Sequence, residues 1–369
     1  MTRGRTVVVG VGFLVLGAVV FWWLTKSDHA RGEHDHDRDE VPVIDAGGGA
    51  TSSKTPTQAQ QAGALDAGGL APAPTAENVI ATFGWGSGDQ ALGRERQQEG
   101  NAEGPMSLTV GPDGTIVILD QVNQRLVKLD ASGKRVGSTP IPVQAAQDVV
   151  VTKDGSSLVI DRLVDKTVAI IGPDGKPRGE LPIEGKGLTE GGASTGLFND
   201  GDDVLVEREH GDLVRIGKTD GKADPERGEV PGRPSKDGAS YLTALIASAA
   251  DGLVAVTAVA KATLEHRFTR QLSFGQPIVQ LVMLDSDATG TSFVGANVEL
   301  PGSTPELPKV GVVVLCLDAR DGAVLGRAVF LPNTVADETF RELTVSGDGS
   351  ILFLRRTEQG AQLERHRCQ

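Results

Sequence analysis

Two stretches of this chain carry residue types that could do chemistry. The first reads His29-Ala-Arg-Gly-Glu33-His34-Asp35-His36-Asp37. Imidazole and carboxylate groups ligate Zn²⁺ or Ni²⁺, which makes His29, His34 and His36 metal candidates. The competing reading is a solvated charged spacer, because no regular element surrounds these residues to fix a geometry. The second stretch runs from Lys261 to Pro277 and holds His266, Arg267, Phe268, Arg270 and Phe274. It is a basic, aromatic insertion in a chain of formal net charge −13. Arginine and aromatic rings are enriched at the centres of protein interfaces, so these five residues are candidates for contact with a partner. The competing reading is an elongated pair of strands, with Arg267 and Arg270 solvated and Phe268 and Phe274 in the core.

Other chemistry is sparse. The two cysteines are Cys316 and Cys368. In an extracytoplasmic domain such a pair suggests one disulfide; the alternative is a buried Cys316 and a frayed Cys368. No nucleophile elbow, zinc-protease helix motif or complete P-loop occurs. The run Gly185-Lys-Gly-Leu-Thr-Glu-Gly-Gly192 lacks the terminal Gly-Lys-Ser/Thr and a following helix, and reads as a loop. Asp285-Ser-Asp287-Ala-Thr-Gly290 has part of a Ca²⁺-loop pattern without its closing Glu, and reads as a turn. Beyond the N-terminal cluster the histidines are His210, His266 and His366, in separated places, which argues against a His-rich metal centre. No cofactor is expected, and a carboxylate-bound Ca²⁺ is the alternative.

The element that must position these groups is a hairpin repeat. Pro105-Met-Ser-Leu-Thr-Val-Gly-Pro-Asp-Gly114 is followed by Thr115-Ile-Val-Ile-Leu-Asp120, by Gln121-Val-Asn-Gln-Arg125 and by Leu126-Val-Lys-Leu-Asp130. The apolar residues do not recur at helical spacing. Asp113-Gly114 is a hairpin signal, since the turn needs positive φ and Gly supplies it without steric cost. The unit returns at Asp148-Val-Val-Val-Thr-Lys-Asp154-Gly155. Asp113 and Asp154 stand 41 residues apart (154 − 113), and Asp120 and Asp161 keep that offset. Further Asp-Gly turns at Asp200, Asp251 and Asp348 follow at intervals of 46 (200 − 154), 51 (251 − 200) and 97 (348 − 251). The last interval is about twice the others, so one unit near residue 300 lacks its marker. From Val310 to Leu317 and from Ala323 to Leu331 runs half a unit, whose other half is either eroded or supplied between Thr291 and Leu300.

Four-stranded units at this period indicate an all-β, single β-propeller. A β-sandwich is the alternative, but it does not require a fixed period with matched internal positions. Residues 77–369 hold six or seven blades at about 40–50 residues each, and the marker spacing selects six over five or seven. The C-terminus supplies only three strands, so a strand beginning at Val79 is expected to complete the last blade as its outermost strand. In such a ring the loops between second and third strands share a face with the loops between blades. That face is expected to bind, and it would present Asn123, Arg125, Arg162 and the insertion from Lys261 to Pro277.

The first unit resembles the NHL repeat. The resemblance rests on Phe83-Gly84, Gly104-Pro105, Leu108-Thr-Val110, Asp113-Gly114, Val117-Ile-Leu-Asp120, Asn123-Gln-Arg125-Leu126-Val127 and Leu129-Asp130. The second unit matches in part and the rest poorly. The chain departs from the pattern at Met106-Ser107 and in its low aromatic content of 4%. The resemblance implies a propeller. Propellers of that family serve as enzymes, scaffolds and binders of protein or RNA, and six-bladed relatives include Ca²⁺-dependent lactonases and metal-dependent amidating lyases. It therefore implies little about activity.

Taken in order, residues 1–26 read as a transmembrane signal-anchor. The run from Val7 to Leu24 is apolar and uncharged, long enough to cross most of a hydrocarbon core of about 30 Å. Arg3 and Arg5 precede it, Trp22 and Trp23 sit at the interface position, and acidic residues follow Lys26. That charge order places the remainder outside the cytoplasm, on the periplasmic side of a bacterial inner membrane. A cleaved signal peptide is the alternative. Residues 27–76, acidic and then rich in Ala, Gly, Ser, Thr, Gln and Pro, read as a disordered tether, with a mean reach of about 35–40 Å by the square-root rule. An acidic chain exported from the cytoplasm is a poor candidate for nucleic acid. The expectation is a tethered scaffold that binds envelope or membrane proteins, with a Ca²⁺-dependent lactonase-like hydrolase as the alternative.

Overall fold

Short β-branched runs separated by Asp-Gly turns fold into hairpins, and a hairpin buries its two faces only by stacking on others. The structure, a computed structural model, shows how this chain does so; it describes residues 60–61, 78–96, 102–303 and 309–369. Six antiparallel sheets of four strands account for nearly all of these residues. Blade one is Ser107–Val110, Ile116–Asp120, Arg125–Leu129 and Arg135–Pro140, from axis to rim. Blade two is Asp148–Val151, Ser157–Asp161, Thr167–Ile171 and Pro177–Pro182. Blade three is Ser194–Asp200, Asp203–Arg208, Leu213–Lys218 and the short Glu229–Val230.

Blades four and five have longer strands. Blade four is Arg233–Pro234, Ser240–Ser248, Leu253–Ala260 and His266–Ser273, with Gln60–Gln61 added in parallel at its outer edge. Blade five is Ile278–Ser286, Ser292–Glu299, Val310–Leu317 and Val324–Phe330. The half unit at Val310 is thus completed by Ser292–Glu299 and the strand before it. Blade six is Leu343–Val345, Ile351–Thr357 and Gly360–His366, and its fourth strand is Val79–Trp85 from the other end of the domain. Ala91–Leu92 extends that sheet in parallel. The innermost strands of blades six and one touch, so the ring closes. It is a six-bladed β-propeller.

The marker turns act as expected, with one reassignment. Gly114 takes φ +83°, and Asp113 accepts bonds from the Thr115 N–H and hydroxyl, both at 2.9 Å. In blade two the hydroxyls of Thr152 and Ser156 hold Asp154 down to about 2. Blade four, however, is marked by Asp237-Gly238. Asp251-Gly252 lies one connection later, between its second and third strands. The innermost strand of blade four is only two residues long and contains no apolar run, which hides it from a hydrophobic-pattern search. The missing marker of blade five is Asp287, in the turn that closes at Gly290.

Apolar clusters fill five of the six junctions. Leu119 and Val159 pack between blades one and two, Ile160 and Val206 between two and three, and Val256 and Val294 between four and five. Phe330 and Phe353 pack between five and six, and Ile118 and Leu354 between six and one. Among the described residues, no such cluster lies between blades three and four.

Candidate functional site

The axis encloses a channel of about 910 Å³, within the size range of small-molecule pockets. Each blade supplies a half-buried apolar side chain to its wall: Val110, Val151, Phe198, Pro234, Val282 and, from the loop entering blade six, Phe340. The rim at one end is the ring of first-to-second-strand turns. It exposes Lys153 and Lys236 together with Asp113 and Asp348.

The other end is floored by charge pairs that cross the axis. Arg341 enters from blade six, and its Nη2 donates to Asp148 of blade two at 2.6 Å and to the Leu197 carbonyl of blade three at 2.9 Å. Asp148 is fully buried and also accepts from Ser107 Oγ and the Leu197 N–H. Arg233 of blade four donates from Nε and Nη2 to both oxygens of Glu207 in blade three, at 2.8 and 3.0 Å. Burial pushes the Glu207 carboxyl up, but the Arg233 charge and its bonds, with the Thr195 hydroxyl, outweigh it and hold the group below its ordinary range. Both guanidinium groups stack on Phe198, at 5.0 and 5.2 Å from its ring centre. An isolated charge this deep would be costly, so each arginine needs its carboxylate. Together they tie blade six to blades two and three, and blade four to three.

The residues singled out from the sequence are not gathered in one place. Asn123 and Arg125 face inward to a fully buried Asp120, which accepts from both at 2.8 Å and from the Gly93 N–H at 2.8 Å. Arg125 also bonds the carbonyls of Gly88 and Ala91, and so fastens the closing segment to blade one. Arg162 bonds the Gly192 and Ser194 carbonyls, stacks on Phe340 at 5.4 Å, and leaves its buried Nε without a partner.

The stretch from Lys261 to Pro277 is not a crossing loop on the expected face. It comprises a turn on the opposite face, the strand His266–Ser273, and a short connection to blade five. Alternation along that strand buries Phe268, while Phe274 follows it into the same core. Arg267 meets the Ser240 hydroxyl, Arg270 bonds the Asp321 carbonyl, and His266 is exposed against Thr269.

Cys316 and Cys368 form a disulfide across blades five and six, with Cα atoms 6.4 Å apart. His29, His34, His36 and the run from Val7 to Leu24 lie outside the described residues. Among the described residues, no three His, Cys, Asp or Glu side chains converge as a metal-holding group, and no helix is long and apolar enough to cross a membrane.

The channel and its floor were not legible as a site, because their members are single residues from all six blades. The exposed apolar side chains were missed too. On the face of second-to-third-strand and inter-blade loops stand Leu163 and Val164, at the tip of a blade-two loop. Leu245, Ile246 and Val279 stand near that face on the taller blades four and five. Leu163 and Val164 were detectable as an apolar pair in a hairpin tip, where polar residues are usual.

No family model and no curated protein sequence matches the chain. Solved structures with a similar fold include Kuenenia stuttgartiensis hydrazine synthase, at 16% identity over 70% of this chain and 76% of that one, with a TM-score of 0.44. A streptogramin B lyase is 12% identical over 74% of this chain and 96% of its own, with a TM-score of 0.40. The WD40 repeats of RRP9 are 11% identical over 80% and 99%, with a TM-score of 0.45. At these values none of them bears on activity. The six sheets establish the propeller and leave its repeat type open.

Proposed function

We propose that this protein is a membrane-anchored binding propeller, a scaffold that holds a partner protein at the cell envelope through its face of inter-blade and second-to-third-strand loops. One observation supports the reading above others. Of the eight large apolar side chains exposed among the described residues, five stand on or beside that face: Leu163, Val164, Leu245, Ile246 and Val279. They form two groups, Leu163 with Val164 on blade two and Leu245, Ile246 and Val279 on blades four and five, and exposed apolar groups gathered on one face favour an interaction surface there. The anchor from Val7 to Leu24 belongs to the same proposal and rests on the sequence alone.

The test is photo-crosslinking in native membranes, with the reactive residue placed in full-length protein. Probes at Leu163 and Leu245 are expected to capture the same envelope protein. Probes at Val136 and Leu264, exposed toward the opposite face, are expected to capture none. Identical adducts from both faces, or no adduct from either, would overturn the reading. Carbonate extraction of full-length protein tests the anchor: release from the membrane would exclude it.

A further inference from the structure

We propose that the axial channel is a separate site, a receptor for a small monocarboxylate with an apolar body, entered through the ring of Asp-Gly turns. It lies at the opposite end of the axis from the partner face. The wall carries one half-buried apolar side chain per blade, so a ligand seated there meets hydrocarbon or an aromatic ring on every side. Such a wall recognises an apolar body of almost any detail, and polar groups at its ends must supply the orientation.

The floor supplies one. Arg341 spends only Nη2 on Asp148 and Leu197; among the described residues its Nε and Nη1 donors have no partner. Hydrogen bonds from an ionised donor are stronger than neutral ones, and a donor that faces the channel without a protein partner favours an acceptor. The charge already matched by Asp148 limits what that acceptor can be. A monoanion completes the donors of Arg341 and adds one negative charge to a floor that is neutral without it, whereas a dianion such as a phosphate monoester adds two against Asp148 and Glu207.

The rim agrees with this sign. Lys153 is exposed there with no ion-pair partner among the described residues. Three carboxylates lining that end are paired with cations, Asp348 with Arg367 at 2.6 Å, Asp285 with Lys236 at 2.8 Å and Asp200 with Lys261, whereas Asp113 keeps its charge and bonds neutral groups of its own hairpin. An incoming carboxylate therefore meets an open cation at the entrance and open N–H donors at the floor.

The experiment uses full-length protein in lipid nanodiscs, with empty nanodiscs as the blank. Titration calorimetry compares 4-phenylbutyrate, 4-phenylbutanol and 4-phenylbutylamine, which share a body and differ in the end group. The acid is expected to bind at least about tenfold more tightly than the alcohol, and the amine not at all. Arg341→Gln is expected to bring the acid down to the level of the alcohol. Because Arg341 also ties blades together, Val151→Trp is made alongside; it fills the wall without touching the floor and is expected to abolish binding of acid and alcohol alike. Circular dichroism melts confirm that each variant folds. Equal binding of the three probes, no binding of the acid up to about 5 mM, or acid binding unchanged in Val151→Trp would each overturn the proposal.

Discussion

Blade one and blade four are the same four-stranded unit stabilised in opposite ways. Blade one has strands of 4, 5, 5 and 6 residues, and apolar clusters fill the junctions on both of its sides. Its one buried charge, Asp120, is satisfied within the blade and its closing segment. Blade four has strands of 2, 9, 8 and 8 residues, and an apolar cluster on one side only. Toward blade three it relies on Arg233 with Glu207, on Lys261 with Asp200, and on Tyr241, whose hydroxyl donates to Asp200 at 3.4 Å. A propeller thus needs apolar packing at most junctions but tolerates one polar seam. What matters there is whether the charges are buried deeply enough for their loss to be felt.

The sharpest way to break that comparison is to remove one carboxylate from each region. Asp120→Ala strips three bonds from a fully buried position and leaves Arg125, whose side chain is 13% exposed, without its counter-charge. The expected loss is about 3–5 kcal/mol, since the partner of a broken buried pair remains as an unmet charge. Asp200→Asn in the seam, opposite a Lys261 that is 32% exposed, is expected to cost about 1 kcal/mol or less. Urea unfolding followed by circular dichroism measures both. Similar losses would show that the seam is as deeply committed as the packed junctions.

The architecture was legible where hydrophobic pattern and turn chemistry coincide, as at Asp113-Gly114 and Asp154-Gly155. It was illegible at blade four for a specific reason. Gly232-Arg-Pro-Ser235 has no apolar run: its one apolar residue, Pro234, lines the channel, and Arg233 faces the polar seam. A finer turn signal was available: Thr152, Ser235 and Ser346 each stand two residues before the Asp of an Asp-Gly turn, and each hydroxyl bonds that Asp. Asp251 lacks a hydroxyl at that position, and with this rule Asp237 would have been the marker. With Asp251 taken as the marker, the stretch after Ala260 falls where a crossing between second and third strands belongs, although it is the turn and fourth strand of the blade. The floor of the channel depends on Arg341 meeting Asp148 across a separation of 193 residues and on Arg233 meeting Glu207 across 26, and no local pattern encodes such meetings.

A smaller effect sharpens the comparison at a junction that has both kinds of support. Between blades five and six an apolar cluster and the Cys316–Cys368 disulfide act together, the cysteines standing 52 positions apart in the chain. Cys368→Ser is expected to lower stability by about 2–4 kcal/mol through the freed unfolded chain. A reductant should reproduce the loss in wild-type protein and add nothing in the variant. A loss below about 1 kcal/mol would mean that the apolar cluster and the closing strand at Val79 already hold this junction, and that the bond adds little to them.

A further effect concerns the seam itself and is read from the shape of a pH curve. Glu207 is held below its ordinary value in the folded protein, chiefly because Arg233 overcomes the upward push of burial. The sign follows from linkage. A carboxyl with a depressed folded value contributes stability that is complete above its unfolded value of 4.5 and is lost as the pH falls through the folded one. Glu207→Gln keeps the shape and removes the charge. It is expected to cost about 1–2 kcal/mol at neutral pH, with the gap to wild type closing as acid is added below 4.5. In blade two Asp154, held to about 2, should still be contributing when the Glu207 share has begun to fade. If the gap stayed constant down to pH 3, Glu207 would be acting by packing rather than by charge. The polar seam would then be held by shape, as the other five junctions are.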